Sequence, residues 1–198
     1  MEKRNLTLLT DLYELTMMNG YYLKGMTDEV AVFDVFFRRK ELITYSLAAG
    51  LEQVVDYVLG LNFGEEEIAY LKKLNVFDEG FLNYLKDLKF SGDIYSVPEG
   101  TMVFPGEPIL TVKAPVIEAQ LIETAILNMI NHQTLIATKS AKVCRAAQGD
   151  NVMEFGLRRA QGPDAGIYGA RAAIIGGCNS TSNVLAGKMF DVPVSGTH

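Results

Sequence analysis

The stretch EFGLRRAQGPDAG, residues 154–166, places an aromatic ring, two adjacent arginines and several glycines within one short run. Arg158 and Arg159 carry forked donors that match the oxygens of a phosphate or carboxylate, and Gly156 and Gly162 let a backbone come close to such a group. Phe155 adds a flat apolar face. Further on, GGCNSTSNVLAGK (176–188) and PVSGTH (193–198) supply hydroxyls and amides. Together these types suit capture of a small anionic ligand. Spacing alone leaves a second reading equally open, in which the arginines are solvated loop charges and Phe155 belongs to the core.

Position decides between the two, so the elements around these residues matter. VMEF (152–155) reads as a strand, followed by the glycine-rich loop, an alanine-rich helix around 165–175, a second short helix near 181–189 and a closing strand VPVSG (192–196). Strand, helix, helix, strand at these lengths fits βα units of a parallel sheet or barrel. Residues just past such a strand sit at its carboxyl end, where α/β sheets and barrels hold ligands. Upstream, Pro115 opens a stretch free of glycine and proline up to Gln148. Two tandem helices, or one long helix broken near His132, fit its apolar pattern.

The first half has a different rhythm. Leu8, Leu9, Leu12, Leu15, Met18 and Tyr22 recur at helical spacing, with Thr10 or Asp11 as cap. EVAVFDVFFRR (29–39) alternates as a strand with Val30, Val32 and Phe36 on one side, and helical stretches follow near 47–59, 65–74 and 78–89. Glu65, Glu66 and Glu67 stand where a helix N-terminus favours negative charge. From Gly92 to Ala114, short apolar runs punctuated by proline and glycine read as a small antiparallel β-unit. The fold class expected is therefore α/β, with an α+β domain over 1–114 followed by an α/β domain over 115–198.

Composition narrows the function classes. The 198 residues are 48% hydrophobic and 21% charged, the balance of a globular chain, and no apolar run approaches the roughly 18 residues of a spanning helix. The start lacks the apolar stretch of a secretory signal, and two cysteines, Cys144 and Cys178, are too few for a disulfide scaffold, so a cytoplasmic protein with reduced thiols is expected. Net charge of −6 argues against a general nucleic-acid binder, and no membrane partner is expected. The charge is uneven: residues 1–100 hold 10 basic and 17 acidic side chains, whereas 138–188 hold seven basic against three acidic. A basic island of that kind suits a small anion such as a phosphorylated metabolite. There is no GxxxxGK[ST] loop, GxGxxG, HExxH or paired CxxC.

Seven collinear blocks nevertheless form a pattern: LLTDLYELTM (8–17), FFRR (36–39), GTMVFPGEPILTV (100–112), EAQLIETAILNMINHQTLIATKSAKV (118–143), EFGLRRAQGPDAG, GGCNSTSNVLAGK and VPVSGT. In these blocks the chain resembles the nicotinate phosphoribosyltransferases. The resemblance implies an N-terminal domain packed on an irregular α/β barrel of the type II phosphoribosyltransferase kind, and a homodimer with active sites shared between subunits. It implies nicotinate and phosphoribosyl diphosphate as substrates, nicotinate mononucleotide and diphosphate as products, and ATP with Mg²⁺ driving the reaction through a transient phosphohistidine. Such an enzyme serves NAD biosynthesis.

The resemblance also assigns residues. Phe155 supplies one face of the nicotinate pocket and Tyr13, from the partner subunit, the other. A pyridine nitrogen that attacks an anomeric carbon becomes cationic, and aromatic faces attract that charge as it develops. Arg158 falls where related enzymes hold the ribose 5-phosphate or the ring substituent, with Arg159 assisting, and Thr197 falls on a residue that contacts nicotinate. Asn183 aligns with an aspartate of the nicotinamide-using relative, and a neutral amide there accepts the acid substrate that a carboxylate repels. On residue type alone, Asn183 equally reads as a helix N-cap. Ser180, Thr181 and Ser182 read either as rim or as capping residues, Lys139 as a solvated helix charge, and Cys144 and Cys178 as small core residues.

Family members commonly continue Gly-Thr as GTxAH, which makes His198 the variable position and puts the phosphorylatable histidine two residues further on. His198 is not assigned as catalytic, and no metal ligand is assigned within the chain. The chain is expected to be the N-terminal portion of such an enzyme, inactive alone. A nicotinamide-using enzyme and a non-catalytic nicotinate-binding remnant are the alternatives.

Overall fold

A computed structural model describes residues 4–39 and 43–196. The chain divides into two compact units, each assembled from separate segments: one from residues up to Val35, Glu52–Ser96 and Leu110–Leu127, the other from Phe36–Leu51, Val97–Ile109 and Asn128 onward. Both units draw segments from either side of the expected boundary at 114/115. Strand pairing and side-chain burial gather distant segments, and neither quantity is visible along the chain.

In the first unit, α1 (Leu12–Leu23) is followed by β1 (Val30–Val35), α2 (Leu51–Leu59), α3 (Glu65–Leu74), α4 (Glu79–Asp87), β3 (Asp93–Ser96) and β5 (Leu110–Pro115). β5 is the central strand, antiparallel to both β1 and β3. The antiparallel β-unit expected within 92–114 is present, and β1 joins it. Val30 and Val32 are exposed (61% and 58%), so the core side of β1 is the alternate row Ala31, Phe33 and Val35. Gly92 lets the sheet close up: a Cβ there would lie 2.3 Å from that of Ala114. Asp78 caps α4 by accepting from the N–H groups of Gly80 and Phe81, and buried Phe81, Leu82 and Leu85 turn one face of α4 inward.

α5 (Val116–Ala146) is one unbroken helix of 31 residues, with Leu127 the last of its residues in the first unit. Neither expected form, tandem helices or a break near His132, is found. No glycine or proline interrupts it, and the His132 ring contacts the Ala165 carbonyl through Nε2 at 3.3 Å without disturbing the helix. Ile117, Leu121, Ile122 and Ile126 lie in the core of the first unit.

In the second unit, Met129, Ile130, Gln133, Thr134, Ala137 and Thr138 form the buried stripe of α5, at spacings of one, three and four. β2 (Ser46–Leu47) pairs antiparallel with β4 (Met102–Val103), so the expected helix over 47–59 starts later, at Leu51. Thr138 Oγ1 accepts from the Leu47 N–H and Thr134 Oγ1 from the Ala49 N–H, which ties this segment to α5. α6 (Pro163–Ile175) opens with proline at its first position and carries buried Gly166, Gly169, Ala170, Ala172 and Ala173. Small residues there allow close packing: a Cβ on Gly176 would stand 2.5 Å from the Ala137 carbonyl oxygen. Among the described residues no helix is long and apolar enough to cross a membrane.

Candidate functional site

β6 (Met153–Glu154) and β7 (Ser180–Thr181) pair in parallel, Met153 opposite Ser180 and Glu154 opposite Thr181, and Thr181 bridges Val194 in parallel on its other side. The parallel arrangement read from the sequence is present in the second unit, with 192–196 reduced to that single bridge. β7 is a strand that the sequence reading missed, having run the following helix from 181; α7 spans Val184–Phe190. All three segments end on the same side, because the Ser182 N–H donates to the Glu154 carbonyl and the Ser195 N–H to the Thr181 carbonyl. Phe155, Ser182 and Ser195 therefore lead off neighbouring carboxyl ends, the edge where parallel sheets hold ligands.

Phe155 is half-buried, and the chain then forms one 3₁₀ turn, Leu157–Arg159. That turn holds both arginines at the surface. Arg159 Nη2 donates to the Phe155 carbonyl at 3.3 Å, and the Arg158 guanidinium makes no hydrogen bond or ion pair among the described residues. Gly162, at φ +105°, makes the turn into α6 in a backbone region open to glycine.

Asn183 is 2% exposed and caps α7: its Oδ1 accepts from the Ala186 N–H, and its Nδ2 donates to the Gly166 carbonyl at 3.1 Å. Both ends of its amide are engaged within the protein. Thr181 is wholly buried, Ser180 nearly so, and Ser182 partly. Lys139 is exposed. The Cys144 and Cys178 sulfurs lie 3.9 Å apart as free thiols, Cys178 buried and Cys144 half-buried. Burial, with the neighbouring Cys144, pushes the Cys178 thiol up to about 11. Thr197 and His198 lie outside the described residues.

Tyr13 belongs to the first unit, on α1, and is half exposed. A hydrogen bond to Glu14 and the nearby carboxylates raise its hydroxyl well above the ordinary tyrosine range, so it stays protonated. Glu14 is fully buried, and that burial raises its carboxyl, reinforced by Glu123 and Asp11 and opposed by hydrogen bonds from Tyr13 and Thr124. Gln120 Nε2 also donates to Glu14.

Two groups escaped the sequence reading. Glu154, the last residue of β6, accepts from the Thr181 hydroxyl at 2.6 Å and from the Gly156 N–H. A charged residue inside an apolar strand, two positions before a glycine, was the available signal. Glu99 pairs with Arg171 through Nη1–Oε1 at 2.9 Å and Nη2–Oε2 at 2.7 Å, and accepts from the Gly50 and Leu51 N–H groups. Arg171 Nη1 also donates to Gln133, and its guanidinium lies over the Phe190 ring. Among the described residues no three His, Cys, Asp or Glu side chains cluster as metal ligands.

Comparison with known proteins places this geometry. The chain is 48% identical to a nicotinate phosphoribosyltransferase of Bacillus subtilis over 98% of its length, covering 40% of that protein. It is 45% identical to the nicotinate phosphoribosyltransferase of Caenorhabditis elegans, over 96% of this chain and 35% of that one. The crystal structure of human nicotinic acid phosphoribosyltransferase superposes with a TM-score of 0.88 at 36% identity, over 96% of this chain and 39% of that chain. A nicotinate-nucleotide pyrophosphorylase from Pyrococcus furiosus shares the fold, with a TM-score of 0.77 at 24% identity over 98% of this chain and 42% of that one. The chain thus spans about two fifths of the length of these relatives. Since the model of the nicotinate phosphoribosyltransferase N-terminal domain matches residues 8–131, well over half of the sequence, the chain belongs to the nicotinate phosphoribosyltransferase family.

Proposed function

We propose that this chain supplies the nicotinate pocket and part of the ribose-phosphate pocket of an enzyme that makes nicotinate mononucleotide for NAD biosynthesis. The reading rests on one observation: Phe155 and the uncommitted Arg158 follow the carboxyl end of β6, beside β7. The pyridine nitrogen of nicotinate attacks the anomeric carbon of phosphoribosyl diphosphate; a carbon–nitrogen bond forms, the carbon–oxygen bond breaks, and diphosphate leaves with the electron pair. Phe155 faces the ring and favours the pyridinium as its charge develops. Arg158, with Arg159, binds the ribose 5-phosphate or the nicotinate carboxylate through paired donors.

Tyr13 of a second copy closes the opposite face of the ring, in a homodimer with shared sites. Its exposure on α1, beside exposed Leu12 and Met17, supports that role. Thr197 contributes a nicotinate contact by resemblance. Asn183 holds the loop through Gly166 and Ala186, and by resemblance the second proton of its Nδ2 serves the nicotinate carboxylate. Coupling to ATP belongs to the same family reading. By the same resemblance, most of the residues that would hold ATP and Mg²⁺ belong to parts of the family's fold outside this sequence, and no step is assigned to either.

Phe155→Ala and Arg158→Ala, in the natural full-length polypeptide that carries these residues, test the proposal by nicotinate mononucleotide formation. Each is expected to lower kcat/KM at least tenfold, about 1.4 kcal/mol of transition-state stabilisation. A smaller loss from both removes the assigned roles.

A further inference from the structure

The loop that carries Phe155, Arg158 and Arg159 is tied at both ends by one chain of hydrogen bonds that begins at a carboxylate. Glu154 uses its oxygens separately: Oε1 accepts from the Gly156 N–H, just past Phe155, and Oε2 from the Thr181 hydroxyl at 2.6 Å. Donating its only proton to Glu154 leaves the Thr181 oxygen as an acceptor, and it accepts the Asn183 N–H at 3.0 Å. Asn183 in turn donates from Nδ2 to the Gly166 carbonyl in the first turn of α6. Thr181 and Asn183 are 0% and 2% exposed, so water cannot take over their hydrogen bonds. The glycines are part of the arrangement. A Cβ on Gly156 would lie 2.7 Å from Glu154 Oε1, and one on Gly166 would lie 2.6 Å from Leu157 Cδ1.

We propose that Glu154 and Thr181 are positioning residues for the site: acting through Gly156 and Asn183, they fix the loop 155–165 and so set the placement of the Phe155 ring against the substrate. The inference rests on the function proposed above for Phe155. Three substitutions separate its parts. Thr181→Val keeps the β-branched shape and removes the hydroxyl. Glu154→Gln keeps an acceptor for Gly156 but points an amide donor at a threonine oxygen that already accepts from Asn183. Thr181→Ser restores the hydroxyl.

Two measurements test it. Amide hydrogen exchange on this chain should show residues 155–161 exchanging at least tenfold faster in Thr181→Val, near wild type in Thr181→Ser, and unchanged over 110–127 in both. Unchanged exchange of 155–161 in Thr181→Val overturns the positioning role whatever the kinetics show. Kinetics of the full-length polypeptide should then show kcat/KM for nicotinate down tenfold or more in Thr181→Val and Glu154→Gln, and within threefold of wild type in Thr181→Ser. Because the effect passes through Phe155 and Arg158, Thr181→Val added to the Phe155→Ala, Arg158→Ala double variant should cost less than a further threefold. Multiplying effects, or a fall in kcat with an unchanged KM for nicotinate as from a smaller folded fraction, would overturn it. If exchange accelerates while Phe155→Ala leaves catalysis intact, the loop is tied as described, and the reading of Phe155 as a substrate contact fails instead.

Discussion

Glu99→Gln is the most demanding test of the energetics in the second unit. The Glu99 and Arg171 side chains are only 20% and 12% exposed, and four donors converge on the carboxylate: the N–H groups of Gly50 and Leu51 and both Arg171 nitrogens. In the variant, the amide oxygen can still serve Gly50 and Leu51, while the amide nitrogen confronts Arg171 Nη2 donor to donor. The Nη2–Oε2 bond is lost, about 1.5 kcal/mol at the lower end of its range because the pair keeps some exposure to water, and about as much again goes with the ionic part of the Nη1–Oε1 bond and the donor-to-donor contact at Nη2. The expected cost is about 3 kcal/mol, which for a chain of this size lowers Tm by about 6–12 °C. Thermal and urea unfolding at pH 7 by circular dichroism measures it, with tyrosine fluorescence as the second probe because the chain has no tryptophan. Adding Arg171→Met to Glu99→Gln should cost less than the sum of the two single changes, since the bonds between the two side chains are then counted once. A loss below about 1 kcal/mol for Glu99→Gln, or additive losses in the double variant, would refute the reasoning. Acid gives a further signature. Burial pushes the Glu99 carboxyl up, but Arg171 and the Gly50 and Leu51 N–H groups outweigh it and hold it below the usual range. A lowered folded pKa contributes stability that is present above the unfolded value and lost as pH falls through the folded one, and Glu99→Gln should remove that acid limb.

Two other substitutions and treatments have defined outcomes. Glu14 has the opposite sign: its folded pKa is raised by burial and by Glu123 and Asp11, so its contribution is fully present below the unfolded pKa and is lost as pH rises through the folded value. Glu14→Gln should therefore raise Tm at pH 7–8 and leave it nearly unchanged near pH 4; a lower Tm at pH 8 would contradict this. For the thiols, moving Cys178 from 9.0 to about 11 cuts its thiolate fraction at neutral pH about a hundredfold. Disulfide-reagent titration of the native chain should label Cys144 first and reach Cys178 only after denaturation; equal rates at the two positions would show that burial does not control Cys178.

The legibility of the fold tracked how local its causes are. The apolar spacing of α1 and the three glutamates opening α3 act over a few residues, and each leaves a mark in the order of the amino acids. His132 had looked like a place for α5 to break; a histidine breaks nothing when its ring finds the Ala165 carbonyl. β2 and β7 were hidden for the opposite reason. Each has two residues, too few to show alternation, and each exists because a partner strand supplies its hydrogen bonds.

The site divides in the same way. Phe155, Arg158 and Arg159 stood out as candidates because an aromatic ring and two adjacent arginines share a glycine-rich run, although the same run fits loop charges and a core ring equally well. Glu154, Thr181 and the Glu99–Arg171 pair did not stand out, because a side chain's partners can lie 27 or 72 positions away in the chain. By itself the sequence determined the family, the rough places of most helices and the residue types that suit an anion and a flat ring. Tertiary structure alone decided which of those residues stand exposed and which, like Asn183, also bond to the protein. Residue type sets which hydrogen bonds a side chain can make, and only folding decides whether a neighbouring segment or water takes them up.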